Sequence, residues 1–233
     1  MVASGLTCLR TPMLYFPMVT ADGRRQPENP TMTQPTLDQV FEKLLSRLES
    51  VRAGQQAAYK AQLARALAAL VPCPEGGDAV LYANRSRFDP PDLEGWRHVG
   101  QECMLDLAFL HRPSTTAPWS TLATCESEAY PNHLPGLPNG DDQVDVGYFW
   151  DLFKLLQYPS PLRMFMAVTN PRSLEILSGN LVKYAKPYGG VARSGDRLFI
   201  ATVSNTNAVA SWLHLTELTA QGTYIEVGSR VGP

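Results

Sequence analysis

The chain has 233 residues, of which 44% are hydrophobic and 18% charged, and its formal net charge is −2. That length supports one good-sized domain with appendages, and the composition excludes an intrinsically disordered chain. The near-neutral balance excludes a global electrostatic pull on DNA or RNA, so any nucleic-acid contact needs a local basic patch.

The opening run, "MVASGLTCLRTPMLYFPMV", is broken by Pro12 and Pro17 and lacks a basic start, which makes it a poor signal peptide. Residues 20 to 35, "TADGRRQPENPTMTQP", are polar and contain three prolines. Residues 1–35 therefore read as a partly flexible N-terminal extension, and 36–233 as a single domain. At Thr36 a T-x-x-Q capping box is completed by Gln39, and Leu37, Val40, Phe41, Leu44, Leu45, Leu48 and Val51 follow at helical spacing. Gly54 divides this helix from a second, "AAYKAQLARALAAL", which ends at Pro72.

Three strand patterns come next: "AVLYANR" (79–85), "ECMLDLAFLH" (102–111) and "WSTLATCESE" (119–128), the last two joined closely enough to pair as a hairpin. After a proline-rich loop at 131–140, "VGYFWDLFKLLQ" returns to helical spacing, with Phe149, Leu152, Phe153 and Leu156 on one face. "LRMFMAV" (162–168) is apolar almost throughout, the pattern of a strand covered on both faces. Asn170 and Pro171 read as N-cap and first residue of a helix over "SLEILSGNLVKYA", which ends before Gly189 and Gly190. "RLFIATVS" (197–204) is another buried strand and "TYIEVG" an edge strand. The order predicts an α/β (α+β) fold, a mixed central β-sheet flanked by helices.

The hairpin carries the chemistry. Alternation puts Glu102, Met104 and Asp106 on one face of the first strand and Thr124, Glu126 and Glu128 on one face of the second. Pairing Asp106 with Thr124 sets Glu102 opposite Glu128; a slip of two residues sets Asp106 opposite Glu126. Facing Cβ atoms lie about 5 Å apart, so either register gathers several carboxylates in a small volume. Such a cluster is costly unless protons or a cation neutralise it, and the natural cation is a hard divalent ion with oxygen ligands, Mg²⁺ or Mn²⁺. The alternative is that these acids are simply solvated at strand ends.

Asp106 closes "MLD" ahead of "LAFL"; twenty positions on comes "CESE", then "DLFKLL" and "PLRMFMAV". This pattern over residues 100–170 resembles the PD-(D/E)xK nuclease superfamily, with its restriction-endonuclease-like αβββαβ core. The resemblance implies a Mg²⁺- or Mn²⁺-dependent nuclease acting on DNA. Asp106 fills the aspartate position, Glu126 the acidic position of the second motif, and the Ser127 carbonyl is a further metal contact. Glu128 stands where the family usually has lysine. A carboxylate there cannot stabilise charge building on phosphorus as an ammonium does, but it can act as a base or hold a second metal ion. Lys154 is a candidate replacement: with Asp151 it either forms an exposed i,i+3 pair or aims at the carboxylates.

The missing lysine and the acidic balance also fit a catalytically silent module of the same fold that binds a partner protein or nucleic acid. A third possibility is an unrelated α/β protein whose acids at 106, 126 and 128 do not converge. The metal reading would end if Asp106 pointed away from Glu126, or if an arginine filled the gap between them.

Other features carry less. Glu42 and Glu49 fit the solvated face of the first helix. His98, His111, His133 and His214 are scattered, and Cys125 alternates away from Glu126 into the core. Cys8, Cys73, Cys103 and Cys125 include no C-x-x-C pair, which predicts reduced thiols in a cytoplasmic protein. No apolar stretch approaches the roughly 20 residues that span a bilayer. There is no Walker loop or G-x-G-x-x-G, so no nucleotide cofactor is expected. A homodimer is one route by which so acidic a chain could recognise DNA.

Overall fold

The computed structural model describes residues 34–48, 56–83, 92–100, 105–129, 141–169, 171–204 and 212–231. Chain contacts divide the protein into two units, Met1–Met32 and Thr33–Pro233. The first lies outside the described residues, as do Glu102, His133, Gly54 and the Asn170 cap position.

Helix α1 spans Leu37–Leu48. Its capping box forms as the spacing predicts: the Thr36 N–H donates to Gln39 Oε1 at 2.8 Å, and the Gln39 N–H donates to Thr36 Oγ1 at 3.2 Å. Val40, Leu44, Leu45 and Leu48 form its buried stripe. Helix α2 spans Gln56–Leu70 and packs on α1.

Eight strands form one sheet: β1 (Asp78–Ala83), β2 (Arg97–Val99), β3 (Leu107–Arg112), β4 (Ser120–Ala129), β5 (Leu162–Thr169), β6 (Arg197–Ser204), β7 (Trp212–Leu218) and β8 (Tyr224–Val231). Their order is β2-β1-β3-β4-β5-β6-β7-β8. Strands β1, β3 and β4 form an antiparallel meander, β4, β5 and β6 run parallel, and β7 and β8 return antiparallel. Strand β2 pairs parallel with β1 at one edge, and β8 forms the other edge. The fold is thus a mixed sheet flanked by helices.

Parallel neighbours need a crossover, and helices supply both. Helix α3 (Asp141–Gln157) links β4 to β5; α4 (Pro171–Gly179) and α5 (Leu181–Val191) link β5 to β6. The single helix expected from Pro171 through the run 173–185 is two, divided at Asn180, and α5 continues through Gly189 and Gly190. Every residue of β5 is buried, as its unbroken apolar run predicts. Strands β2 and β7 were not anticipated.

One core joins α3, α4 and α5 to the sheet through Tyr148, Leu152, Leu155, Phe165, Leu177, Tyr184, Tyr188 and Ile200. The stripe of α3 is therefore Tyr148, Leu152, Leu155 and Leu156. Phe153, expected on that face, is 39% exposed. On the opposite face α2 lies against β4 and α1 against β8, where Gly228 leaves room for the Phe41 ring. Among the described residues no helix is long and apolar enough to cross a membrane.

Phe165 locks α3 onto β5, its ring edge-on to Tyr148 at 5.9 Å. Phe165→Ala should cost about 3–5 kcal/mol, read as a lower urea midpoint at unchanged slope. A loss below about 1 kcal/mol would contradict this packing.

Candidate functional site

Strand β3 begins at Leu107, opposite Cys125, and not at Glu102 as the sequence pattern predicts. Continued by one residue, the ladder brings Asp106 level with Glu126, whereas Thr124 faces Ala108. The slipped register is the one adopted. Alternation along β4 then sorts its side chains. Glu126 and Glu128, level with Phe165 and Ala167 of β5, face α3, while Cys125 and Ser127, level with Met164 and Met166, face α2.

On the α2 side Asp106 is held at both oxygens. Lys60 of α2 donates to Oδ1 at 2.6 Å, and the Ser127 backbone N–H and hydroxyl each donate to Oδ2 at 2.9 Å. Lys60 is 1% exposed and Asp106 is 5% exposed, so this is a desolvated pair whose carboxylate is also hydrogen-bonded. Asp106 ends the ladder where β3 stops, and its side chain accepts the Ser127 N–H in place of a main-chain carbonyl. A strand residue's N–H and C=O point to the same neighbour, so the Ser127 carbonyl also faces the end of β3.

On the α3 side Glu126 is buried and Glu128 half-buried. Asp151 and Lys154, three apart on α3, close over them. Lys154 Nζ lies 2.5 Å from Asp151 Oδ1 and 3.6 Å from Glu126 Oε1. The two alternatives for this pair are both realised, since the i,i+3 contact forms and also aims at the strand. It is not exposed: Asp151 is buried. Glu126 Oε1 has no hydrogen-bond partner among the described residues.

Asp106 is thus turned toward Ser127 and Lys60 and does not share the Glu126 face, so the metal site held jointly by Asp106 and Glu126 that the sequence pattern predicts is not formed, although the Asp106 charge still reaches across. Burial, then the charge of Asp106, push the Glu126 carboxyl up to about 8. Burial, then Asp151 by charge and hydrogen bond, push Glu128 up to about 7. Burial pulls against the Lys154 ammonium, but the Asp151 hydrogen bond and neighbouring carboxylates outweigh it and hold its pKa above the ordinary value. Four carboxylates, Asp106, Glu126, Glu128 and Asp151, meet two ammoniums, Lys60 and Lys154. Two negative charges are left over, and the raised carboxyl values are how the protein alone meets that surplus.

A divalent cation would meet it as well. Among the described residues no group of three or more His, Cys, Asp or Glu is arranged to hold a metal ion. Mg²⁺, however, commonly takes only one or two protein carboxylates, with water and phosphate completing its shell. The buried Glu126 Oε1, which lies 3.6 Å from Lys154 and accepts no hydrogen bond among the described residues, and the purely oxygen donor set fit such an ion. Asp106 fits less directly, since Lys60 already occupies Oδ1. Among the described residues the cations paired with these carboxylates are lysines, Lys60 and Lys154.

Lys60 was not anticipated as a site residue, although it lies three, four and seven positions before the buried Leu63, Ala64 and Leu67 and so on an apolar stripe. The Cys125 thiol is fully buried, and burial followed by the charges of Asp106 and Glu126 pushes it well up, which makes it a poor nucleophile. His111 is buried, with Nε2 3.0 Å from the Gly76 carbonyl oxygen.

No protein-family model, curated protein or solved structure matches the chain.

Two outcomes follow from this geometry. Folding raises both glutamate values, so between about pH 4.5 and 8 the folded state holds protons that the unfolded chain has released. Metal-free protein should therefore lose stability as pH rises through that window, and Glu126→Gln should flatten the loss in urea midpoints at pH 5.5 and 8.5. Lys60→Met, which strands a buried carboxylate, should cost about 3–5 kcal/mol, and adding Asp106→Asn should recover more than half. Additive effects in that double-mutant cycle would mean that the ion pair is absent.

Proposed function

We propose that the domain is a metal-dependent phosphodiester hydrolase of restriction-endonuclease-like fold, acting on DNA. The observation that carries this is Lys154: an ammonium from α3 lies 3.6 Å from Glu126, supplying the positive charge that Glu128 removes from the second motif. The resemblance drawn from the sequence is further supported by the element order α2, β1, β2, β3, β4, α3, β5: a helix, an antiparallel meander and a parallel crossover, with the three-residue β2 added at the sheet edge.

Glu126 and Glu128 would hold the Mg²⁺ or Mn²⁺ ion from the α3 side, while Asp106, bound to Lys60 and Ser127, would act on it through charge alone. When bound, such an ion supplies Lewis-acid stabilisation of phosphate and a more acidic water. Lys154, 26% exposed, would offset charge developing on the phosphoryl oxygens, a task that one well-directed donor commonly performs to the extent of 10²- to 10³-fold in rate. Glu128 would take the proton of the attacking water. Asp151 would keep Lys154 charged and aimed.

The second reading, a silent module of this fold that binds nucleic acid or a partner protein, is favoured by the Lys60 contact. An ammonium at 2.6 Å already neutralises the aspartate that the metal reading needs. Under either reading we assign the protein to the cytoplasm, since the described Cys73 and Cys125 are free thiols. A second copy of the chain would extend the surface offered to DNA.

A metal titration separates the two. Millimolar Mn²⁺ should raise the melting temperature of wild type by several degrees and leave Glu126→Gln unmoved. Cleavage of supercoiled plasmid or of single-stranded DNA should appear with the ion, and Lys154→Met should slow it at least about 100-fold. A wild-type protein that neither stabilises nor cleaves at any Mn²⁺ concentration is the silent module.

A further inference from the structure

The outer surface of α3 carries an array of rings that the acidic site does not use. Phe149 and Phe153 stack with centroids 6.3 Å apart and planes 25° from parallel; Trp150 and Phe153 stack at 6.1 Å and 24°. The array is rooted, because Phe149 packs at 6.2 Å against Tyr184, which is fully buried. Its outer end is open: Trp150 is 57% exposed and Phe153 39%. At the Phe149 end Lys183 of α5 sits over the ring, 5.7 Å from the centroid. At the Trp150 end Lys154 follows one helical turn on, roughly 6 Å along the axis. The same lysine touches Glu126.

Large exposed rings with open faces mark a contact surface, and two features choose the partner. The rings lie near parallel, so a further flat π-system extends the stack past Trp150. Cations stand beside the array, whereas lysine is depleted from the cores of protein–protein interfaces. A base whose face is free and whose phosphate is anionic satisfies both. Duplex DNA does not, because its bases cover one another's faces and offer only their edges.

We propose that this face of α3 is a stacking platform for single-stranded nucleic acid. An unpaired base continues the ring array on Trp150, and the adjoining phosphate meets Lys154 beside Glu126. The inference rests on the hydrolase reading for its substrate and narrows that substrate to single strands, flaps or frayed ends. Stacking on a lone aromatic is tolerant of sequence, so the platform selects strandedness over base identity.

Binding without turnover tests it. In EDTA, the anisotropy of a fluorescein-labelled oligothymidylate of about 20 nucleotides should report binding by the full chain, with the matched duplex bound more weakly. Trp150→Ala should weaken single-strand binding by about five- to a hundredfold, the range for one stacked base. Trp150→Phe, which keeps a ring, should stay within about threefold of wild type. Trp150 is exposed, so an unchanged melting temperature in Trp150→Ala confirms that the loss is local. Equal affinities for single strand and duplex, no binding by wild type, or indifference to Trp150→Ala each overturn the proposal. So does sedimentation showing a wild-type dimer that Trp150→Ala dissociates, which would make the face a subunit contact. Oligonucleotide binding without any Mn²⁺-dependent cleavage strikes the hydrolase reading alone. Cleavage with binding that ignores Trp150 strikes the platform alone.

Discussion

An ionised carboxylate taken out of water without a partner costs more than a domain's whole net stability, so gathering four carboxylates around one strand, three of them buried, constrains everything near it. Here the constraint is met by lysines from two helices on opposite faces of the sheet. Lys60 reaches Asp106 from α2, and Lys154 reaches Glu126 from α3. Neither helix can shift along β4 without stranding a charge. The pairs are poor sources of net stability, because desolvation offsets most of their attraction. Their effect is on register: they favour the one docking of α2 and α3 in which every ammonium meets its carboxylate.

The topology makes this two-sided arrangement possible. Strand β4 is where the antiparallel meander meets the parallel half of the sheet, with β3 on one side and β5 on the other. A parallel step from β4 to β5 requires a covering helix, and α3 therefore lies above Glu126 and Glu128. Because β3 starts only at Leu107, the Ser127 N–H has no strand partner on that side, and the Asp106 carboxylate takes the vacant ladder position. A longer β3 would have paired Ser127 with main chain and left Asp106 to the faces of the sheet.

Local patterns with a single cause were legible in the sequence. The Thr36–Gln39 capping box, the doubly covered β5 and the shared face of Glu126 and Glu128 each follow from spacing alone. What depended on two distant segments was not. The sequence allowed two registers for the hairpin, and β3 ended nearer Asp106 than its apolar run implied, since an aspartate bound to Ser127 terminates the ladder. Strand β7, "WLHLTEL", alternates well, but the polar, alanine-containing run 205–211 before it gives no strand boundary in the sequence. Lys60 was hidden for another reason. Helix α2 is rich in alanine and its apolar stripe is weakly marked, so a lysine on that stripe does not stand out until Leu63 and Leu67 are seen to be buried. The pairing of Lys154 with Glu126 was among the alternatives, but only the packing of Tyr148, Leu152 and Leu155 fixes which way that flank of α3 turns.

Glutamate at position 128 sets the charge arithmetic of the site. With lysine there, three carboxylates would face three ammoniums and the cluster would be neutral without help. With glutamate, two negative charges remain, and they must be met by protons or by a doubly charged ion. These two solutions exclude each other, because a carboxylate must lose its proton to ligate a metal. Without an ion, Glu126 and Glu128, pushed up to about 8 and about 7, meet the surplus by holding protons at a pH where ordinary carboxyls have lost them. A lysine on the strand would be fixed by the ladder, whereas Lys154 extends from a helix, is tethered by Asp151 at 2.5 Å and is 26% exposed, so its 3.6 Å contact with Glu126 is the looser of its two ion pairs.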